Sequence, residues 1–116
     1  MRVSKINLNP HLKKEITNTF FQTISDFKDP EEIKTFLNDF LNDAELETFS
    51  KRLAISYYLK KGRSYSNIKN NLKVSSATVA VIEKLLKTEG FKLALKKMEA
   101  EEWANQWAEK IKKIVK

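Results

Sequence analysis

Residues 64–82 of the chain read SYSNIKNNLKVSSATVAVI, and they contain two short helical patterns in succession. Ser64 and Ser75 each precede a short helical pattern, and a serine hydroxyl can accept hydrogen bonds from the backbone N–H groups that begin a helix. Only two residues separate the patterns. The apolar residues spaced to form a shared core between two steeply crossing helices are Ile68, Leu72, Val74, Val79 and Ile82. The stretch therefore predicts a helix-turn-helix over about residues 64–87.

The second predicted helix begins with small side chains that suit contact with duplex DNA. Small residues let a helix backbone approach base edges closely, and hydroxyl groups can bond to bases or to phosphates. The residues with these properties are Ser75, Ser76, Ala77 and Thr78. The pair of helices is alternatively an ordinary corner of a helical bundle. The hydroxyl-rich start of the second helix, inside the most basic part of the chain, favours DNA.

Positive charge is concentrated around this stretch. The chain has 22 basic and 15 acidic residues and a net charge of +7. Residues 51–90 hold nine of the basic and two of the acidic residues, whereas residues 1–50 are net acidic. A concentrated basic block suits a polyanionic partner, although a solvated lysine-rich surface has the same composition. We therefore expect double-stranded DNA as the partner.

The composition excludes most enzyme and metal chemistry. The chain has no cysteine and one histidine, His11, so it lacks the residues of a zinc site, a disulfide framework or a catalytic thiol. Its two glycines, Gly62 and Gly90, are too few for a phosphate-binding loop. No apolar run is long enough to cross a membrane, and the N-terminus has no signal-peptide pattern. We expect a cytoplasmic protein that is not an enzyme and that holds no metal or cofactor.

Helix start and stop signals divide residues 1–116 into six helices of a single all-α domain. Two prolines each follow a capping residue and favour the first helical position. Residues 42–45 have the spacing of a capping box, and Gly62 suits the left-handed residue that ends the helix opened there. Gly90 is interpreted as the end of the second helix of the pair, and a C-terminal helix is predicted over about residues 91–116.

Six short motifs then occur in a fixed order: FLNDFL at residues 36–41, NDAELE at 42–47, KRL at 51–53, LKKGRSY at 59–65, ATV at 77–79 and EGFKL at 89–93. In this combination the chain resembles the Trp repressor superfamily, and within it the YerC/YecD group. The resemblance covers roughly residues 10–97. It implies an intertwined, all-helical homodimer, in which the helix-turn-helix of each subunit reads half of a palindromic operator.

The leading interpretation is a dimeric helix-turn-helix transcription regulator. Contacts to the major groove, or to the phosphates beside it, are predicted for Lys69, Ser75, Ser76, Ala77 and Thr78. Phosphate contacts are predicted for Arg63, Lys73 and Lys84, with Tyr65 as a further candidate. Lys73 stands where a glycine commonly makes the turn, and a lysine adopts the left-handed conformation at a cost of about 1 kcal/mol.

Two departures from the family pattern bear on the function. Tryptophan-sensing members hold the indole ring of the corepressor between two arginines; Arg52 occupies the first position here and Val81 the second. Valine cannot stack as a guanidinium does, so tryptophan is not expected as corepressor, and Arg52 and Val81 mark a candidate effector pocket. Ala80 and Val81 also replace a polar or basic pair. The alternative is therefore a helical dimerisation or protein-interaction module that has lost operator recognition.

Overall fold

The computed structural model describes residues 6–114, with side chains as far as residue 102. The described residues form six α-helices and no strand: α1 Pro10–Asp26, α2 Pro30–Phe40, α3 Asp43–Lys60, α4 Tyr65–Leu72, α5 Ser76–Leu85 and α6 Glu89–Ile114. The predicted all-α class and the number of helices are confirmed. The chain divides into two compact units, Met1–Leu46 and Glu47–Lys116. The interpretation of residues 1–116 as one domain stays a prediction. None of the described helices is long and apolar enough to span a membrane.

The first two helices begin where their capping residues predict. Asn9 Oδ1 accepts hydrogen bonds from the backbone N–H groups of His11 and Leu12, at 2.9 and 3.3 Å. Asp29 Oδ1 accepts one from the N–H of Glu31 at 2.9 Å. Each cap is followed directly by a proline, whose missing N–H costs nothing at the first helical position.

Phenylalanine rings hold α1 against α2 in the first unit. The ring centroids of Phe20 and Phe40 lie 5.7 Å apart, those of Phe36 and Phe40 lie 4.9 Å apart, and those of Phe27 and Phe36 lie 5.2 Å apart. Neither helix has a fully buried residue. The large apolar side chains that remain exposed on these two helices are Leu12, Ile16, Phe20, Phe21 and Phe40. The single chain therefore leaves much of the apolar surface of this unit in water.

Both ends of α3 have the predicted capping geometry. The Asn42 N–H donates to Glu45 Oε1 at 2.9 Å, and the Glu45 N–H donates to Asn42 Oδ1 at 2.8 Å, which is a capping box. At the other end Gly62 has φ +81°, and the N–H of Arg63 donates to the carbonyl of Tyr58 at 3.1 Å. This left-handed ending stops α3 and turns the chain toward α4.

The prediction that Gly90 ends α5 is wrong. The helix α5 ends at Leu85 and α6 begins at Glu89, so Gly90 lies in the first turn of α6. The backbone N–H and the hydroxyl of Thr88 both donate to the carbonyl of Leu85, at 3.0 and 2.6 Å. The Thr88 carbonyl then accepts the N–H of Lys92 at 3.0 Å. Threonine hydrogen bonds therefore separate the two helices, and no left-handed glycine is needed.

The core of the second unit joins α3, α4 and α5. Its buried side chains are Ile55, Ile68, Val79 and Ile82. Half-buried apolar side chains pack around them: Tyr58, Leu59, Tyr65, Leu72, Val74, Leu85 and Phe91. The shared core predicted for the two short helices is confirmed, because all five of its residues belong to these two sets. This core fixes which face of α5 is turned inward.

A polar cluster links α6 to the end of α3. The hydroxyl of Tyr57 donates a hydrogen bond to Glu102 Oε2, and Lys61 Nζ lies 3.1 Å from the same oxygen. The hydrogen bond from Tyr57, followed by the one from Lys61, lowers the pKa of the Glu102 carboxyl group. Glu102 is therefore held as a carboxylate, and this carboxylate ties the two helices together.

Candidate nucleic-acid interface

Serine caps begin both short helices, as predicted. Ser64 Oγ accepts a hydrogen bond from the N–H of Asn67 at 3.1 Å at the start of α4. Ser75 Oγ accepts one from the N–H of Thr78, also at 3.1 Å, at the start of α5. Each cap satisfies a backbone donor that the helix itself leaves without a partner. The two caps therefore set where α4 and α5 begin.

Lys73 makes the turn between α4 and α5 in a left-handed conformation. Its φ and ψ are both 55°, and its N–H donates to the carbonyl of Lys69. The N–H of Val74 donates to the same carbonyl at 3.4 Å. Lys73 is the one residue other than glycine with positive φ in the described part of the chain. The sequence-based expectation of a strained lysine at this turn is confirmed.

Replacing Lys73 with glycine is expected to raise the free energy of unfolding by up to about 1 kcal/mol, because glycine adopts positive φ without the clash of a Cβ atom. Urea denaturation measures the change. The matched control is Lys96→Gly, an exposed position within α6, which is expected to lose about 1 kcal/mol of stability. Equal destabilisation by both variants would contradict the left-handed turn at Lys73.

The helix α5 has a buried face and an exposed face. Val79 and Ile82 are buried in the core. Ala77, Val81 and Lys84 are exposed, at spacings of four and three residues that place them on one face of a helix. The exposed fraction of Val81 is 57%. An exposed face with one cation and small apolar groups is thus available to a partner.

Two of the predicted groove contacts bond to each other. Ser75 Oγ and Thr78 Oγ1 lie 3.0 Å apart, in addition to the capping bond between Ser75 and the Thr78 backbone. Both hydroxyls therefore contribute to the start of α5. Ser76 and Ala77 are exposed, and among the described residues the Ser76 hydroxyl makes no hydrogen bond. These two residues are the freer members of the predicted set.

Tyr65 links α4 to α5. Its hydroxyl donates a hydrogen bond to Glu83 Oε1 at 2.8 Å, and this bond raises the pKa of the Tyr65 hydroxyl. A phosphate contact by Tyr65 stays a prediction, since the structure assigns its hydroxyl to a partner on α5. Sequence reasoning missed Glu83. The sequence could have indicated Glu83, because it is the one acidic residue between residues 48 and 88.

The predicted phosphate-binding cations lie around the two helices. Arg63, Lys73 and Lys84 are exposed and Lys69 is half-buried. The guanidinium of Arg63 lies 4.1 Å from the centroid of the Tyr58 ring, and Arg63 Nη1 donates to Asn67 Oδ1 at 3.4 Å. Among the described residues, none of the four cations pairs with an acidic side chain. Within the part of the chain that the structure describes, no ion pair therefore neutralises their charge.

Arg52 lines two cavities of the second unit. One, of about 350 Å³, has a mixed polar and apolar wall of Thr48, Lys51, Arg52, Ile55, Lys73, Val74, Ser75, Thr78 and Ile82. The other, of about 360 Å³, is mainly apolar, with Phe49, Arg52, Leu53, Gly90, Phe91 and Ala94 as its wall. The exposed Val81 lines neither cavity. An effector pocket formed by Arg52 and Val81 therefore stays a prediction. The first cavity places Thr48 and Lys51 beside Arg52. The sequence signal for these two residues was helical spacing, because Thr48 lies four residues before Arg52 and Lys51 four residues before Ile55.

Comparisons with known proteins agree with this helical arrangement. The sequence model of the family described as Trp repressor protein matches residues 15–99. The chain is 25% identical over 93 residues to the uncharacterized protein YerC of Bacillus subtilis (strain 168). The aligned region covers 78% of this chain and 89% of the relative. No solved structure gives a significant match to the chain.

Proposed function

Because this chain belongs to the Trp repressor family, we propose that it is a transcriptional regulator that binds specific sequences of double-stranded DNA as a homodimer. In this proposal α4 and α5 form the helix-turn-helix, and α5 is the recognition helix that enters the major groove. The proposal keeps the cytoplasmic location expected from the sequence. It also keeps residues 1–116 as one functional domain.

The observation that carries the proposal is the orientation of α5. The core of the second unit holds Val79 and Ile82, so the opposite face of α5, with Ala77, Val81 and Lys84, points away from that core and is exposed. A recognition helix needs such a free face near its N-terminus, where its side chains reach the base edges. The small side chains of Ser76 and Ala77 at that end permit close approach to the duplex.

The cations beside α5 support binding to the DNA backbone. Arg63, Lys73 and Lys84 are exposed, and none pairs with an acid among the described residues. We assign them to phosphates, with Lys69 beside them. Such contacts position a protein on the duplex and carry no sequence information themselves. Sequence preference then comes from the exposed face of α5.

The exposed apolar side chains of α1 and α2 support the homodimer. Leu12, Ile16 and Phe20 follow one another at four-residue intervals and remain exposed in the single chain. Burial of this stripe against a second copy removes it from water, which is the usual source of stability in obligate dimers. Two recognition helices in such a dimer require half-sites about 34 Å apart.

Selection from a library of random duplexes tests the proposed function. The full chain is mixed with the library, bound duplexes are separated and amplified, and the cycle is repeated. The expected result is one enriched sequence with two inverted half-sites about one helical turn apart. Failure to enrich any sequence would contradict the proposal. Failure to bind any duplex at low salt would favour a protein-interaction module instead, which the exposed Val81 and the half-buried Ala80 would suit.

Free tryptophan is not expected to act as a corepressor. The proposed effector pocket contains Arg52, but Val81 supplies no second guanidinium to stack on an indole ring and lines neither cavity at Arg52. Isothermal titration calorimetry at millimolar tryptophan is therefore expected to show no saturable binding. Saturable binding, or tighter DNA binding when tryptophan is added, would contradict this reading of Val81.

A further inference from the structure

Apart from Lys84, the exposed face of α5 has little capacity to form hydrogen bonds. Ala77 and Val81 lie on it one helical turn apart, and their side chains neither donate nor accept. On its flanks the hydroxyls of Ser75 and Thr78 bond to each other, and Glu83 accepts a hydrogen bond from Tyr65. Of the three hydroxyls of Ser75, Ser76 and Thr78, that of Ser76 alone makes no hydrogen bond among the described residues. The part of this face that Ala77 and Val81 form therefore suits apolar groups on a partner.

We propose that Ala77 and Val81 recognise the 5-methyl groups of thymines in the major groove. The inference rests on the proposed function, since it assumes that α5 enters that groove. Thymine is the base that presents a methyl group there, and apolar side chains recognise it by contact. Lys84 follows Val81 by three residues on the same face, so a cation adjoins the apolar pair where the groove meets the phosphates. A DNA duplex supplies a partner for each: a thymine methyl group for the apolar pair and a negatively charged phosphate for the lysine.

The spacing of the two side chains limits where the thymines lie. Four residues of an α-helix rise about 6 Å along its axis. Successive bases on one strand lie about 3.4 Å apart. If α5 follows the groove, Ala77 and Val81 face positions about two base steps apart. The preferred half-site is therefore expected to carry two thymines about two base steps apart, either on the same strand or on opposite strands.

Replacing thymine with deoxyuridine tests the inference, because uracil lacks only the methyl group and keeps every hydrogen-bonding atom of thymine. The probe is the duplex enriched from the random library, with each thymine replaced in turn. Affinity for the full chain is measured by fluorescence anisotropy. We expect about a fourfold loss for each contacted methyl, the equivalent of one buried methyl group. Thymines outside the contacted positions are expected to show no change.

Variants of the protein show which side chain contacts each thymine methyl group. Val81→Ala removes the two γ-methyl groups and is expected to reduce the effect of uracil at one position, while the second position keeps its full sensitivity. Val81 is 57% exposed, so this change leaves the fold intact. The matched control is Leu93→Ala on α6, where the leucine is 61% exposed. It is expected to keep both sensitive positions.

The outcomes separate this inference from the proposed function. Binding to the enriched duplex that is specific, yet unchanged by every uracil, would overturn the inference and leave the proposed function standing. Uracil sensitivity that Val81→Ala does not alter would also overturn the role of Val81. Absence of any enriched duplex would overturn both.

Discussion

Raising the salt concentration from 50 to 200 mM is expected to weaken binding to every duplex by about a thousandfold. Each subunit of the proposed dimer presents Arg63, Lys73 and Lys84, so about six phosphates are neutralised in the complex. Each neutralised phosphate contributes about −0.9 to the slope of log affinity against log salt, because condensed counterions are released. Anisotropy titrations at four salt concentrations measure this slope. A slope near zero would contradict phosphate binding by these residues.

Single alanine variants identify the cations responsible. Lys73→Ala and Lys84→Ala each remove two contacts from a dimer, so each is expected to flatten the slope by about 1.8. The loss is expected to be alike for all duplex sequences, since phosphate contacts carry no sequence information. Lys96→Ala makes the same change of charge at an exposed position on α6 and is the matched control. An equal effect of Lys96→Ala would indicate a diffuse basic surface instead.

The second large effect concerns the apolar stripe of α1. Ile16 is 53% exposed in the single chain, where its replacement by alanine is expected to change stability by less than about 0.5 kcal/mol. In the proposed dimer this side chain is buried, and the same replacement is expected to cost about 2–5 kcal/mol per buried isoleucine. Urea denaturation of Ile16→Ala measures the difference, with Val81→Ala on α5 as the control expected to have little effect.

Concentration dependence tests the dimer independently. In an obligate dimer the unfolding midpoint rises with protein concentration, because folding and association are one equilibrium. We expect this rise for the wild type over about two decades of protein concentration, from about 1 to about 100 μM. Sedimentation equilibrium is expected to give the mass of two chains. A folded monomer at micromolar concentration would contradict the proposed dimer.

Much of the fold could be predicted because the helix ends are local. The capping box of Asn42 and Glu45 and the left-handed Gly62 depend on residues close in sequence, and both are present in the structure. The prediction for Gly90 was wrong because a glycine after a helical pattern commonly marks the C-terminus of the helix. In the structure the hydroxyl and backbone N–H of Thr88 close the turn after α5 instead. A hydrogen bond from a threonine side chain to the backbone can end a helix without a glycine. Such a bond produces no repeating pattern of apolar residues, so the sequence did not indicate it.

The sequence predicted the two helices of the candidate site, but it did not predict the hydrogen bonds between their side chains. The caps of α4 and α5, their shared core and the left-handed Lys73 follow from short-range patterns. The bond from Tyr65 to Glu83 joins residues 18 positions apart, and the bond between the Ser75 and Thr78 hydroxyls depends on their rotamers. Neither leaves a pattern in one sequence.

The resemblance to the Trp repressor superfamily and its YerC group is confirmed by the match over residues 15–99 and by the YerC relative. This is a family of DNA-binding regulators, so the protein is not an enzyme.

If α5 recognises a DNA sequence, the protein binds one duplex more tightly than another, and the ratio of the two affinities measures that recognition. The full chain is titrated against the duplex enriched from the random library and against a scrambled duplex of the same composition, at one physiological salt concentration. Specific regulators bind their site typically about 10³-fold or more tightly than nonspecific DNA. We predict a ratio of at least that order. Equal affinity for the two duplexes would contradict sequence recognition and leave only a basic surface.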